Sequence, residues 1–342
     1  PGSRLELEAD TGNYRGRGRL DRVIWAISPD NNSAFAQVAS GEADLLENAS
    51  PDQIRALAGH PGLRPFAWPT LQYGFMGMNF REPGHHARPN PILSDLRVRR
   101  AVSMAVDRHA MLRNVFDTLG HIAYGPFPAL LATADTTLRI PHHDPALAAA
   151  LLDSAGWTPG PDSIRRRDGR PLRLRLITPT SSAFRMQYAV LIQEALRRVG
   201  IRVDIDAEPF NAFYAKESAG DFDLALVTYS TDPNAGGAAQ SWATGSIIPA
   251  GGNFLSYTDP RFDALLDSAT HTFDVPAAKA YATRAYQVIA DDVPAVWLYD
   301  LFSVGAISTR FHVTALRADG WWEHLADWTV PVADRVARDR IG

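Results

Sequence analysis

The strongest constraint on the fold is a change of hydrophobic period in the middle of the chain. Apolar residues alternate over 172–178, recur at helical spacing over 183–199, and alternate again over 201–206. A short helix over 211–219 and an apolar strand over 222–229 complete the series. Strands separated by helices favour parallel pairing with right-handed crossovers. This segment therefore predicts an α/β fold built on parallel strands.

The loops after these three strands are where a ligand is expected, because ligands bind beyond the carboxyl ends of parallel strands. The loops span 178–182, 208–211 and 230–234. Asp232 lies in the last one, where its carboxylate can pair with a cationic ligand group between aromatic walls. The alternative is a purely structural role, in which Asp232 caps a turn before Pro233, and the sequence pattern alone slightly favours this alternative. The polar and aromatic neighbours of Asp232 are Tyr229, Asn234 and Trp242.

The rest of the chain predicts further strands and helices around this segment. One long helix is expected over 94–116, because apolar residues keep helical spacing throughout. Asp168 and Gly169 lie between two extended stretches and predict a tight hairpin turn. The loop over 81–91 is the best candidate for a domain boundary. The tryptophans near the carboxyl end are interpreted as structural residues: Trp321, Trp322 and Trp328.

Composition excludes several classes of protein. The 34 basic and 38 acidic residues give a pI near 6.2, so neither nucleic acid nor an anionic membrane is an expected partner. Cysteine is absent, which excludes disulfides, thiolate metal sites and cysteine-linked lipid. The longest nearly apolar stretch, 293–307, contains Asp300 and is too short to cross a bilayer. No secretory signal is visible at the start, and we expect processing or truncation to have removed it.

Motifs for catalysis or cofactor binding are missing from the sequence. It contains no G-x-G-x-x-G, G-x-x-x-x-G-K-[ST], H-E-x-x-H or G-x-S-x-G pattern. The histidine pairs at 85–86 and 142–143 are interpreted as surface loops, since adjacent loop side chains rarely converge on one ion. Asp221 and Asp223 precede a strand that Asp232 follows, so a catalytic carboxylate pair is not expected. We predict no cofactor and no metal.

Asn79 and the segments 91–102 and 105–108 resemble a signature of the extracytoplasmic solute-binding proteins of ABC importers, in the peptide, oligopeptide and nickel family. The signature places Asp95 at a helix start, followed by a basic face. Further matches keep their order and spacing, so the resemblance covers nearly the whole chain; they lie at 144–157, 222–233, 253–266 and 291–294.

The resemblance implies an α/β, two-lobed periplasmic-binding-protein-like fold with discontinuous lobes, whose mixed sheets carry flanking helices. Residues 1–76 would form part of the first lobe, 77–304 the second lobe with the ligand-site loops, and 305–342 the return to the first lobe. Hinge strands are expected at 75–79 and 303–307. Family members are longer at the amino end, so the chain is expected to lack the amino-terminal part of the family.

The resemblance also raises the ligand role of Asp232 above the turn role. Family members typically hold the free amino group of a peptide with an aspartate in the matching loop. Dipeptide binders often carry an arginine for the ligand carboxylate in the loop that matches 178–182, where this chain has none; Arg185 would lie on the following helix. The expected ligand-binding residues are Asp232, Tyr229, Trp242, Asn234, Thr180, Ser181 and Ser182, with Tyr73 and Asn79 near the first hinge.

The function implied is non-catalytic capture of di- to oligopeptides, or of a related small solute, and delivery to ABC permease subunits in the membrane. The protein is expected to be a monomer in the periplasm or otherwise outside the cytoplasm, associated with the membrane through the transporter complex. Two alternatives are a carrier for nickel chelate, haem or oligosaccharide, and a ligand-sensing domain of a transcriptional regulator with the same fold. An enzyme has little support, because no nucleophile and base can be paired by spacing.

Overall fold

A computed structural model describes residues 3–28 and 30–339 of the chain. The strands are β1 (Arg4–Glu8), β2 (Arg22–Ala26), β3 (Leu45–Leu46), β4 (Leu63–Met78), β5 (Arg81–Glu82), β6 (His85–Pro89), β7 (Gly120–His121), β8 (Thr158–Pro159), β9 (Arg165–Arg167), β10 (Arg170–Pro171), β11 (Arg173–Pro179), β12 (Arg202–Glu208), β13 (Leu224–Ser230) and β14 (Ala295–Ser308). The helices are α1 (Asn31–Ala39), α2 (Pro51–Ala56), α3 (Leu96–Ala105), α4 (Arg108–Phe116), α5 (Pro145–Ser154), α6 (Ala183–Arg198), α7 (Phe210–Ser218), α8 (Gly236–Trp242), α9 (Pro260–Thr270) and α10 (Val275–Asp292).

The chain divides into two compact units. The first unit comprises Pro1–Thr70 and Leu301–Gly342, and the second unit comprises Leu71–Asp300. Both unit boundaries fall inside long strands, β4 and β14. The domain boundaries predicted from the sequence, after residues 76 and 304, lie in the same two strands and stay predictions about lobe organisation.

The second unit is built on the parallel strands that the sequence predicts. β11 lies between β12 and β13 and runs parallel to both, with Leu176 opposite Leu224 on one side and Ile205 on the other. β4 pairs with the other side of β13 in antiparallel register, and the sheet continues from β4 to β14 and β3. The predicted α/β pattern with parallel pairing is therefore confirmed, and the sheet is mixed because β4 joins it in the opposite direction.

The helix α6 covers this sheet through one apolar stripe. Its residues Tyr188, Ala189, Ile192 and Leu196 are completely buried. Burial of a leucine or isoleucine side chain contributes about 1.5–3 kcal/mol. The predicted hairpin turn before the sheet is also present, since Asp168 and Gly169 both have positive φ between β9 and β10.

The single helix predicted over 94–116 is wrong, because the chain forms two helices there, α3 and α4. Val106 adopts an extended conformation, and the Asp107 side chain accepts a hydrogen bond from the backbone N–H of Ala110 at 2.9 Å. Asp107 therefore caps a new helix. The basic face expected on α3 is also incomplete, because Arg99 is buried and donates to the carbonyls of Leu93 and Ser94.

The first unit has an aromatic core that joins its two chain segments. Phe66 and Trp68 from the first segment pack with Trp321 and Trp328 from the second. Trp321 Nε1 also donates to Glu47 Oε1 at 2.7 Å. The structural role predicted for Trp321 and Trp328 is confirmed, while Trp322 is about half exposed.

Candidate functional site

The three parallel strands end at one edge of the second unit's sheet, and the predicted ligand loops follow there. β11, β12 and β13 end at Pro179, Glu208 and Ser230. The backbone N–H of Thr180 donates to the Glu208 carbonyl at 2.8 Å, which ties the first loop to the end of β12. Carboxyl ends of adjacent parallel strands are a common ligand position because the loops leave the sheet side by side.

Asp232 lies exposed in the loop after β13. Within the part of the chain that the structure describes, its carboxylate has no hydrogen-bond or ion-pair partner. The loop itself is fixed, because the Thr231 N–H donates to the Leu71 carbonyl at 2.9 Å and Asn234 Oδ1 accepts from the Gly236 N–H at 2.8 Å. The geometry thus presents an unpaired carboxylate on an anchored loop.

Close packing against α8 also restrains the Asp232 loop. A Cβ atom at Gly237 would lie 2.1 Å from Thr231 Oγ1 and 2.7 Å from the Asp232 backbone nitrogen. No real Cβ contact is this short, so only glycine permits the approach. The sequence alone carries no signal for this contact, because it joins a loop to a helix backbone.

An aromatic framework packs around the strand that leads into this loop. Trp242 Nε1 donates to the Tyr73 hydroxyl at 2.8 Å, and both residues are about 1% exposed. The Phe75 ring lies 5.0 Å from the rings of both Trp242 and Tyr229. The Tyr229 hydroxyl donates to the Gly252 carbonyl at 3.1 Å. Burial raises the pKa of Tyr73 and of Tyr229, so both hydroxyls stay protonated.

Asn79 is buried and uses its side chain within the unit. Its Nδ2 donates to the carbonyls of Gly220 and Phe222 at 3.0 and 2.9 Å, and its Oδ1 accepts from the Arg81 N–H at 2.9 Å. The structure therefore gives Asn79, like Tyr73 and Trp242, internal partners. The predicted contact of these three residues with ligand stays a prediction.

The loop between β11 and α6 carries the predicted hydroxyl groups. Thr180 and Ser181 are exposed, whereas Ser182 is buried at the start of α6. The Ser182 side chain forms no capping hydrogen bond to the helix. These positions agree with the predicted placement of the loop at the sheet edge, and their contact with ligand stays a prediction.

Several buried polar atoms without a partner lie on the strand, loop and helices that adjoin the predicted ligand loops. A buried polar group that lacks a hydrogen bond is costly and usually marks a place for water or a ligand. Among residues 3–28 and 30–339, the atoms of this kind that belong to the strand ends, α6 and α7 are Thr178 Oγ1, Ser182 Oγ, Arg185 Nε, Tyr188 OH and Glu217 Oε1.

Glu217 is the carboxylate among these residues, and sequence reasoning missed it. It is 3% exposed on α7, and burial raises its pKa to about 7, while the Arg185 charge lowers it. Its neighbour Lys216 suggests an exposed helix face. The available signal was its spacing of four residues from Phe213, which places both on one helix face.

The other carboxylates considered for catalysis have structural partners. Asp223 accepts hydrogen bonds from the Arg175 N–H and from Asn90 Nδ2, at 2.9 and 3.1 Å. Asp221 pairs with the Arg175 guanidinium. Asp223 and Asp232 lie on either side of the seven-residue strand β13, which spans roughly 20 Å. Asp223 and Asp232 therefore lie far apart, as the sequence predicts, and the absence of a catalytic pair stays a prediction.

The described residues contain neither a cluster of metal ligands nor a membrane-spanning helix. No group of three or more histidine, cysteine, aspartate or glutamate side chains between 3 and 28 or between 30 and 339 is arranged to hold a metal ion. No helix in the same ranges has both the length and the apolar character needed to cross a membrane.

Comparison with known proteins identifies relatives along most of the chain. The chain is 28% identical over 306 residues to the oligopeptide-binding protein AppA of Bacillus subtilis (strain 168), a match that covers 87% of this chain and 54% of the relative. The chain thus spans about half the length of this curated relative.

Solved structures support the same fold. The structure of AppA from Bacillus subtilis in complex with a nonapeptide has a TM-score of 0.80 at 24% identity, over 96% of this chain and 64% of that one. NikZ from Campylobacter jejuni in complex with Ni(L-His) has a TM-score of 0.81 at 20% identity, over 96% and 65%. These likenesses confirm the predicted α/β, two-lobed binding-protein fold class.

The family itself is shown by a model that matches residues 1–247, described as bacterial extracellular solute-binding proteins, family 5, middle part. This match covers well over half of the chain. It agrees with the resemblance found in the signature around Asn79 and Asp95. The protein therefore belongs to family 5 of the bacterial extracellular solute-binding proteins.

Proposed function

We propose that this protein is the substrate-binding component of an ABC importer, and that it captures peptides outside the cytoplasm for delivery to permease subunits in the membrane. Family membership supports capture of a solute, and the relative AppA is named for oligopeptide binding. The observation that carries the proposal is Asp232, an exposed carboxylate without a partner among the described residues, on an anchored loop that follows the parallel strand β13.

The chemistry of Asp232 suits the free amino group of a peptide. An ammonium offers three donors, and a carboxylate is an acceptor that forms short, charge-assisted hydrogen bonds to it. The hydrogen bonds of Thr231 and Asn234 hold the loop before a ligand arrives, which reduces the entropy lost on binding. The hydrogen bond from the Tyr229 hydroxyl to the Gly252 carbonyl fixes the end of β13, the strand that leads into this loop.

The other predicted ligand residues have secondary roles in this proposal. Thr180 and Ser181 are exposed at the end of the neighbouring strand and offer hydroxyl groups for the peptide backbone. Ser182 has an unpartnered Oγ close to them in sequence. Such contacts recognise backbone groups that all peptides share, so we propose broad specificity at this part of the site.

The location and partners of the protein follow from the same proposal. We place it in the periplasm or otherwise outside the cytoplasm, as a monomer that associates with the membrane through the permease. It acts without turning over its ligand and without nucleic acid, since the balance of 34 basic and 38 acidic residues provides no basic footprint.

The test is calorimetric titration with a pool of short peptides and with the same pool acetylated at the amino terminus. We expect binding of the free pool, loss of at least about tenfold in affinity on acetylation, and a similar loss in Asp232→Asn. Asp168→Asn is the matched control, because it removes one exposed carboxylate from a hairpin turn where asparagine is equally suited.

Two results would contradict the proposal. Equal affinity for free and acetylated peptides would remove Asp232 as the group that holds the amino terminus. Binding of a nickel–histidine chelate, haem or an oligosaccharide, in the absence of peptide binding, would favour the carrier alternatives instead.

A further inference from the structure

Glu217 differs from the unpartnered hydroxyl groups on β11 and α6 and in the loop between them. The hydroxyl groups of Thr178, Ser182 and Tyr188 can each donate and accept, so a buried water molecule satisfies them at small cost. An ionised carboxylate only accepts, and it needs donors or a positive charge to remain buried. Glu217 Oε1 has no donor among the residues that the structure describes.

The chain supplies only partial compensation for this buried charge. Arg185 acts on Glu217 through its charge, but no hydrogen bond or ion pair within 4.0 Å joins the two side chains in the described structure. The adjacent Lys216 is engaged elsewhere, with Asp206 at 2.7 Å and Glu208 at 2.6 Å. A cation from outside the chain would therefore complete the environment of Glu217.

An aromatic side chain, Tyr214, neighbours Glu217 on α7. Tyr214 lies three residues before it on α7, so the two are neighbours on the helix surface, and Tyr214 is 51% exposed. The Tyr214 ring packs edge-on against Phe254 with 6.1 Å between centroids. Burial, and after it the negative charge of Glu217, raises the pKa of the Tyr229 hydroxyl.

We propose that Glu217 is the acidic end of a subsite for a basic side chain, lysine or arginine, of the bound peptide. Tyr214, Tyr229 and Phe254 form the aromatic sides of this subsite. A lysine or arginine stem packs against such rings, and its charged end gains from both the ring faces and the carboxylate. Tyr229 also links the subsite to Asp232, because Tyr229 lies at the end of β13 and Asp232 follows three residues later, in the next loop.

This inference rests on the proposed function, because it assumes that the ligand is a peptide. It narrows that function: the strand-edge loops recognise groups common to all peptides, whereas Glu217 selects among side chains. A pocket that buries a carboxylate discriminates strongly against a ligand that leaves it unpaired. The protein should therefore prefer peptides that contain a basic residue.

The test compares two tripeptide pools that are identical except that one position holds lysine in the first and norleucine in the second. Norleucine keeps the aliphatic chain and lacks the ammonium group. We expect the lysine pool to bind the wild-type protein at least about tenfold more tightly, and Glu217→Gln to reduce this ratio to about one. Glu194→Gln is the matched control, since Glu194 is a half-buried residue of α6 that pairs with Arg197 and Arg198.

Equal affinity of the wild-type protein for the two pools would overturn the inference, and so would a lysine preference that survives in Glu217→Gln. Acetylated versions of both pools separate it from the proposed function. A lysine preference that persists after acetylation and depends on Glu217 would support the subsite while contradicting amino-terminal capture by Asp232. If no pool binds, n-butylammonium is the probe: a Glu217-dependent rise in Tm supports the subsite, and its absence overturns it.

Discussion

Replacing Glu217 with glutamine should stabilise the unbound protein at alkaline pH and leave it nearly unchanged at acidic pH. Burial raises the pKa of Glu217 from 4.5 to about 7, because the ionised carboxylate loses its hydration and the Arg185 charge offsets only part of that loss. A raised carboxyl pKa means that the folded state holds the proton more tightly than the unfolded state. Stability is therefore full below pH 4.5 and is lost progressively as the pH rises to 7.

The magnitude follows from the shift in pKa. One pKa unit corresponds to 1.36 kcal/mol, so the shift of Glu217 amounts to about 3 kcal/mol at pH 8. Glutamine has nearly the same shape and carries no charge, so Glu217→Gln should recover this amount. Any effect of the new amide on hydrogen bonding does not change with pH. The diagnostic quantity is therefore the difference in free energy of unfolding between variant and wild type, compared at pH 5 and at pH 8.

The assay is urea unfolding of the wild-type and variant proteins at half-unit intervals from pH 5 to pH 8.5. The free energy of unfolding of the variant should rise above that of the wild type as the pH increases to about 7. Above pH 7 the difference between the two proteins should stay constant. Glu194→Gln is the control and should show no gain at pH 8, because its arginine partners lower the pKa of Glu194 to about 2. A wild-type–variant difference that does not depend on pH would refute the reasoning, because it would show that Glu217 ionises as an exposed carboxyl does.

Three more results are expected in the second unit. Gly237→Ala should weaken the binding of free peptides by displacing the loop that carries the proposed ligand carboxylate, whereas Gly245→Ala, where a Cβ meets no atom within 4 Å, should leave calorimetric affinity unchanged. Trp242→Phe should lower the free energy of unfolding by about 1–3 kcal/mol in urea melts, because a buried hydroxyl loses its hydrogen bond; an unchanged melt would contradict that assignment. The affinity for the lysine pool should fall roughly tenfold per pH unit below pH 7, because protons compete with the ligand for Glu217; a flat profile from pH 5 to pH 8 would argue against pairing with Glu217.

The parallel strands β11, β12 and β13 could be predicted because the hydrophobic period of the sequence changes at each element. Apolar residues alternate over 172–178 and over 201–206, and a helical repeat separates the two stretches. This pattern favours two strands that pair side by side, as β11 and β12 do. The division between α3 and α4 was missed because the apolar spacing continues across the break. Asp107 was a visible capping residue there, yet an extended Val106 depends on tertiary packing that no local pattern records.

The candidate site was predictable only where chain order determines position. Asp232 follows a strand end, so its place at the ligand edge follows from topology. Packing brings Trp242 to Tyr73 and Gly237 to Thr231. The spacing of residues in the sequence predicts neither contact. Glu217 is an intermediate case, because a helix face shared with Phe213 hints at burial while its adjacent lysine suggests exposure.

The discontinuous construction of the first unit has a consequence for the order of folding. The second unit is one uninterrupted segment, Leu71–Asp300, so all of its contacts can form as soon as that segment has been synthesised. The first unit must wait, because the hydrogen bond between Trp321 and Glu47 joins residues 274 positions apart. Contacts of such separation slow folding and leave partners exposed meanwhile. Until Trp321 and Trp328 are made, Phe66 and Trp68 lack these partners, and their apolar surface is open to aggregation.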